Sequence, residues 1–308
     1  MSTHATAWGL ADIPSLAGKI ILVTGGNTGL GYETVKVFAE KGAEVILACR
    51  TLDKGEAAKA SIGQVSGTIT VMALDLASLA SVKAFADAFA QAYSRLDVLV
   101  NNAGIMMTPY GKTQDGLEQQ QGVNHFGHFA LTAQLFELLK ATAGARIVNV
   151  SSLAHKRGDM DWDNLMFNDG AEYTPMRAYG RSKLENLLFT YELQRRIKAA
   201  GLDIEALAAH PGGSKTDLAR HVEGKLIFRL LTPLLLVMMQ SAAAGALPQI
   251  RASVDAKAQG GEYYGPNKMG EMRGKPVLVP STPESQSEEA GRRLWEVSEK
   301  LTGVTFSI

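Results

Sequence analysis

Tyr179 and Lys183 stand four residues apart in a stretch, 178–199, with helical patterning, so they share one helix face. An ammonium group close to a phenol favours the phenolate and draws its pKa down toward neutrality. A phenol so placed can give a proton to a carbonyl oxygen or take one from an alcohol. Near the N-terminus, Thr24-Gly25-Gly26-Asn27-Thr28-Gly29-Leu30-Gly31 follows an apolar run and precedes a helical pattern. Gly25 permits a tight turn, Gly29 lets backbone approach a pyrophosphate, and Gly31 lets helix and strand pack closely. The helix start then offers unpaired N–H donors and a positive dipole end to phosphate. A proton-transfer pair and a dinucleotide cradle in one chain point to hydride chemistry carried by a nicotinamide.

The elements that must position these residues alternate. Short apolar runs at 20–24, 44–48, 69–73, 98–101, 146–150 and 204–208 are separated by amphipathic segments at 32–41, 78–93, 129–139 and 178–199. Buried runs separated by helix-length segments predict an α/β fold, a Rossmann-type doubly wound parallel sheet with helices on both faces. At 308 residues with 46% hydrophobic and 20% charged side chains, the chain reads as a single domain, 1–308. Its longest excursion, about 211–239, reads as a substrate loop, and 283–301 as a C-terminal helix.

The glycine spacing G-x3-G-x-G, with Thr24 before the first glycine, resembles the short-chain dehydrogenase/reductase family. The likeness continues through Asn101-Asn102-Ala103-Gly104 after the fourth strand, Asn124 in a helix, Ser151-Ser152 after the fifth strand, Tyr179-x3-Lys183, and Pro211-Gly212 after the sixth. Local wording, Gly104-Ile105-Met106-Met107 and Val123-Asn124-His125-Phe126-Gly127-His128-Phe129, resembles the retinol dehydrogenase-like branch, itself similar to light-dependent protochlorophyllide reductases. The resemblance implies four catalytic residues: Asn124, Ser152, Tyr179 and Lys183. Ser152, the second serine of its pair, would bind the substrate oxygen, and Asn124 would hold a water linking Lys183 to solvent. Cofactor contacts are implied for Gly25, Asn27, Thr28, Gly29, Leu30, Asp75, Leu76, Asn102, Ala103, Gly104, Tyr179, Lys183, Pro211, Gly212 and Thr216. Homodimers or homotetramers built on 120–140 and 178–199 are implied too. The stretch 156–175, with Trp162, Phe167 and Tyr173, would form part of the substrate wall.

A dinucleotide fold that prefers NAD carries a carboxylate at the end of its second strand. Here that place holds Arg50, a bidentate partner for a 2′-phosphate, so the cofactor expected is NADP (NADPH). The substrate expected is a small or apolar carbonyl or alcohol; the almost wholly apolar 226–239 reads either as a lid over it or as a segment packed on the body or a partner subunit. Reduction of a C=C bond and a non-catalytic dinucleotide-binding role are the alternatives, although an idle chain would be expected to lose one of the four catalytic positions.

Composition excludes other classes. Lys+Arg and Asp+Glu are 31 each, which argues against general binding of nucleic acid. Cys49 stands alone, so no intrachain disulfide can form. The segment 226–239 is too short, and interrupted by Arg229 and Pro233, to span a bilayer. With no basic start and apolar run at the N-terminus, a cytoplasmic location is expected. His125 and His128 lack a third ligand at metal spacing, so no metal is expected. Met106 and Met107 could line a pocket or fill core. His155 and His210 read as structural.

Overall fold

Runs rich in Val, Ile and Leu become strands here because helices on either side let them bury both faces. The computed structural model describes residues 8–213 and 240–308. Its strands are β1 (Ile20–Thr24), β2 (Glu44–Cys49), β3 (Thr68–Ala73), β4 (Val98–Asn101), β5 (Ala145–Val150), β6 (Ile204–Ala209), β7 (Tyr263–Lys268) and β8 (Arg273–Leu278). Among the described residues these eight form one sheet in the order β3-β2-β1-β4-β5-β6-β7-β8. All neighbours are parallel except β7 and β8. The chain builds outward from β1 to β3 and then returns to set β4 beside β1. That reversal opens a crevice at the carboxyl ends of β1 and β4.

The helices are α1 (Gly29–Glu40), α2 (Leu52–Ile62), α3 (Leu79–Ala92), α4 (Gln119–Gln121), α5 (Gly127–Gln134), α6 (Phe136–Lys140), α7 (Pro175–Ala199), α8 (Ala242–Val254) and α9 (Glu288–Thr302). Period-2 alternation divides the core. Ile21, Val23, Val45 and Leu47 pack with Val35 and Phe38 of α1 and Ile250 of α8. Leu22, Ile46, Leu99 and Ile147 pack on the opposite face with Phe85 and Phe89 of α3, Phe129 of α5, Phe189 of α7 and Trp295 of α9. The doubly wound single domain read from the sequence is the fold observed. No helix among the described residues is long and apolar enough to cross a membrane.

Three features go beyond the expectation. The stretch 120–140 runs as a helix that widens into a π turn at Gly122–Phe126 and breaks at Leu135, between α5 and α6. The β7–β8 hairpin escapes periodicity because its sequences, YYGPNK and RGKPVL, are rich in strand breakers. It is tolerated because β7 pairs with β6 only through Tyr263 and Tyr264, and Pro266 lies opposite Pro276 beyond that ladder. Finally, α9 lies across the helices expected to pair with a second copy. Leu294 packs on Leu184 and Leu188, and Trp295 meets Phe129 and Phe189 with ring centroids 5.3 and 6.0 Å apart. The Ser298 hydroxyl is 2.9 Å from His125 Nε2. On this face those helices are covered by their own chain.

Trp295 is 3% exposed, and the Arg196 guanidinium stacks 4.1 Å above its ring. Trp295→Ala leaves a cavity beneath α9 and is expected to cost about 3–5 kcal/mol of unfolding free energy, read from urea denaturation. A loss below about 1 kcal/mol would show that this cluster does not hold α9 in place.

Candidate active site

The glycine turn is built around a threonine. Thr24 ends β1, and its hydroxyl oxygen accepts from the Asn102 and Ala103 amides at 3.0 and 2.9 Å. Asn102 returns the contact, donating through Nδ2 to the Thr24 carbonyl at 2.8 Å. The end of β1 and the segment after β4 are thereby laced together. Gly25 has φ +65°, and a Cβ there would lie 3.0 Å from the Ala103 Cα. A Cβ on Gly31 would collide with the Gly25 carbonyl oxygen, so the turn itself, more than helix–strand packing, demands glycine there. α1 begins at Gly29 with no capping bond from the Thr28 side chain and no carboxylate in its first turn. Its first amides have no intrahelical acceptor and favour an anion at this end.

In front of this turn lies a cleft of about 370 Å³. Gly25, Asn27, Thr28, Gly29, Leu30, Arg50, Asp75, Leu76, Asn102, Ala103 and Gly104, all named from the sequence, line it. Thr51, Lys54, Ile105, Met106, Gln119 and Val123 line it too and were not named as contacts. Met106 therefore belongs to the cleft. Lys54 was missed because a single lysine on a solvated helix carries no periodic signal; only its position one turn beyond Arg50 marks it. Arg50 and Lys54 are both exposed and, among the described residues, make no salt bridge. The cleft thus has two cations at the end of β2, where an NAD-preferring fold would carry a carboxylate.

Tyr179 and Lys183 project from the first turns of α7, which begins at Pro175 behind a Thr174 cap. Burial is nearly complete: Tyr179 is 7% exposed and Lys183 4%. Lys183 Nζ lies 5.8 Å from the Tyr179 ring centroid and donates to the Val150 carbonyl at 3.0 Å. Burial lowers the Lys183 pKa to about 8. The Tyr179 hydroxyl is pushed up by burial and pulled back by a hydrogen bond with Ser152. The expected downward pull of Lys183 on the phenol is therefore not the governing effect here: the ammonium turns toward the sheet carbonyl, and loss of water outweighs it.

The two adjacent serines are separated by geometry. Ser151 Oγ donates to the Lys183 carbonyl at 2.8 Å and is committed to holding α7. Ser152 is the serine that acts on the Tyr179 hydroxyl, and its oxygen accepts from the Ala154 amide at 3.2 Å. His155 Nδ1 lies 2.6 Å from the Ser152 carbonyl. Asn124 sits within the π turn. Its side chain accepts from the Ile105 amide at 2.8 Å and donates to the Ile105 carbonyl at 3.0 Å and to Ser182 Oγ at 2.9 Å. Both amide hydrogens are spent on anchoring, so a water at Asn124 would have to meet an acceptor oxygen. Gly104 bridges the cleft and this group: a Cβ there would lie 3.2 Å from Asn124 Oδ1 and 3.5 Å from Lys183 Nζ.

Other expectations land elsewhere. Pro211 and Gly212 do not line the cleft; Gly212 donates to His210 Nδ1 at 3.2 Å, and Gln240 Nε2 to the Pro211 carbonyl at 2.8 Å. Thr216 and the apolar segment 226–239 lie outside the described residues. The aromatics of 156–175 do not line this cleft. Phe167 is fully buried beneath the Arg181 guanidinium, 4.3 Å from its ring. Trp162 packs with Leu184, Leu188 and Leu294 and under Arg293. Tyr173 donates to the Thr108 carbonyl at 2.8 Å.

The residues present fit a dinucleotide: glycines at three places that a Cβ would fill or strain, a helix start with no side-chain cap bond, and two neighbouring cations. A model described as short chain dehydrogenase matches residues 19–226. Human retinol dehydrogenase 13 is 39% identical, covering 99% of this chain and 90% of that protein. Human retinol dehydrogenase 11 is 40% identical, covering 94% and 87%. A crystal structure of an uncharacterized protein from Mycobacterium paratuberculosis superposes with a TM-score of 0.83 at 40% identity, covering 98% of this chain and all of that one. The NADP active-site complex of Pseudomonas aeruginosa RhlG superposes at 0.65 with 25% identity, covering 81% and 94%. With its glycine turn, its Tyr-x3-Lys helix and these relatives in agreement, the chain belongs to the short chain dehydrogenase family of oxidoreductases, among proteins similar to retinol dehydrogenases.

Proposed function

We propose that the chain is an NADPH-dependent reductase of apolar aldehydes or ketones, and in reverse a dehydrogenase of the matching alcohols. The observation that carries this reading is the buried Tyr179 phenol, with Ser152 acting on it and the Lys183 ammonium 5.8 Å from its ring, beside a glycine-lined cleft. Bound NADPH would supply the hydride to the carbonyl carbon. Gly25 to Leu30 would hold its pyrophosphate, Arg50 and Lys54 its 2′-phosphate, and Asp75 and Leu76 its adenine side. Tyr179 Oη gives its proton to the carbonyl oxygen as that oxygen gains charge. Ser152 Oγ donates to the same oxygen and stabilises the developing charge. Lys183 faces the phenolate left behind. A phenol pushed up by burial suits reduction, since it keeps its proton until the substrate oxygen becomes a strong base. The apolar run 226–239 and the names of the relatives support a lipophilic substrate. The direct test is a panel of carbonyls assayed by NADPH absorbance, with the products identified. Saturated C=C products with the carbonyl intact would replace this reading with the alkene one.

Arg50→Asp is expected to lower the NADPH-over-NADH ratio of kcat/KM by about 10- to 150-fold, the worth of a charge-assisted pair to phosphate. Equal use of both cofactors by the wild type would remove the role given to Arg50. Tyr179→Phe keeps the ring and loses the proton donor. It is expected to lower kcat by roughly 10²- to 10⁴-fold while NADPH still titrates nearly as in the wild type by fluorescence.

Lys183 gives a prediction that needs no substrate. Its pKa is lower in the fold, about 8, than its ordinary 10.5, because burial penalises the charge. The penalty is fully present below pH 8 and fades as pH rises from about 8 to 10.5, where the folded protein has already shed the proton. Lys183→Met is therefore expected to stabilise the nucleotide-free protein at neutral pH, by at most about 3 kcal/mol. The margin should shrink across that window in urea titrations. A constant margin would locate the effect in packing and not in charge.

A further inference from the structure

His128 is 2% exposed and lies one turn beyond Asn124. Its Nδ1 is 3.0 Å from the Asn124 carbonyl oxygen and its Nε2 is 2.9 Å from Thr24 Oγ1. The proton positions follow from the partners. A carbonyl can only accept, so Nδ1 carries the hydrogen. Thr24 Oγ1 already accepts from the Asn102 and Ala103 amides, which takes both of its lone pairs. Its own hydrogen must therefore go outward, either to the Val100 carbonyl at 3.4 Å or to His128 Nε2 at the shorter distance. An imidazolium here would aim an N–H at an oxygen with no lone pair left, and the ring stays neutral. Burial and the Lys183 charge act in the same sense, pushing the imidazole down to about 4.

We propose that His128 is a positioning residue: a neutral imidazole that donates to the Asn124 carbonyl through Nδ1 and accepts from Thr24 through Nε2, coupling the π turn beside Lys183 to the glycine turn. The Asn124 side chain is tied to Ile105 and to Ser182, the neighbour of Lys183. Thr24 holds Asn102 and Ala103, which line the cleft. His128 is the one side chain that touches both assemblies directly among these bonds, so it sets the distance between the cofactor seat and the proton-transfer group. The proposal rests on the reductase reading given above.

The test separates the two halves of the imidazole. His128→Asn keeps a donor near Nδ1 and loses the acceptor at Nε2; His128→Gln brings a carbonyl oxygen to the Nε2 position and loses the donor. Asn is expected to weaken NADPH binding, read by fluorescence, about 10-fold with little change in kcat, and Gln to lower kcat about 10-fold with little change in NADPH affinity. Parallel losses that track melting temperature in both variants, or no change in either, would overturn the proposal. A second measurement uses the unliganded wild type: ¹⁵N-detected tautomer analysis of its histidines, with His128 assigned from the Asn variant. Hydrogen on Nδ1 alone throughout the neutral range is expected, and hydrogen on Nε2 would refute the coupling. Absence of NADPH binding by the wild type would instead defeat the reductase reading and leave the tautomer measurement to decide on His128.

Discussion

Lys183 carries an ammonium group into a place almost closed to water, and much around it exists to make that bearable. A buried charge costs several kcal/mol unless acceptors face it. The Val150 carbonyl at the end of β5 meets Nζ at 3.0 Å, and the same oxygen accepts from Asn186 Nδ2 at 3.1 Å. Ser151 fixes the helix backbone at the lysine itself. Gly104 leaves out a Cβ that would press on Asn124 Oδ1 and touch Nζ. Because the acceptor belongs to the central sheet, α7 has to be seated accurately over it, and Leu187, Phe189 and Leu193 supply that seating from the core. Tyr179 and Ser152 then meet as a consequence of where the helix sits.

Features that depend on neighbours in the chain are legible in the sequence. A four-residue gap on a helix, a glycine cluster between strand and helix, and an arginine at a strand end are all local patterns; the glycine turn and Arg50 line one cleft, and Lys183 comes near it at Gly104. The choice between Ser151 and Ser152 is different. It depends on which hydroxyl turns toward α7, a matter of strand twist at the end of β5, and only the family likeness pointed to the second. Asn124 also shows the limit. Its amide is consumed by Ile105 and by Ser182, partners 19 and 58 residues away. No periodicity encodes such bonds, so its role as an anchor could not be read.

The misread features share a cause. Aromatic residues in 156–175 suggest an apolar wall, and Phe167 and Trp162 each carry a guanidinium over the ring, from Arg181 and Arg293. The Tyr179 pKa was argued from spacing alone, while burial, which spacing does not report, governs it. The β7–β8 hairpin contradicts strand propensity and survives because it stands at the sheet edge, where missing N–H donors cost little.

The packing of α9 on α7 has a consequence for the order of assembly. Part of the sheet under α7, β1 to β5, is made before it, and β6, whose Ala208 packs on Leu187, follows directly. The cover for its other side, Leu294 and Trp295, is made roughly ninety residues later. At about 5–20 residues per second of synthesis, the outer face of the helix bearing Tyr179 and Lys183 stays bare for on the order of 5–20 seconds on the ribosome. Leu184 and Leu188 are the residues then presented to chaperones or to neighbouring nascent chains. The helix at the heart of the site is thus also the last large surface to be sealed as the chain matures.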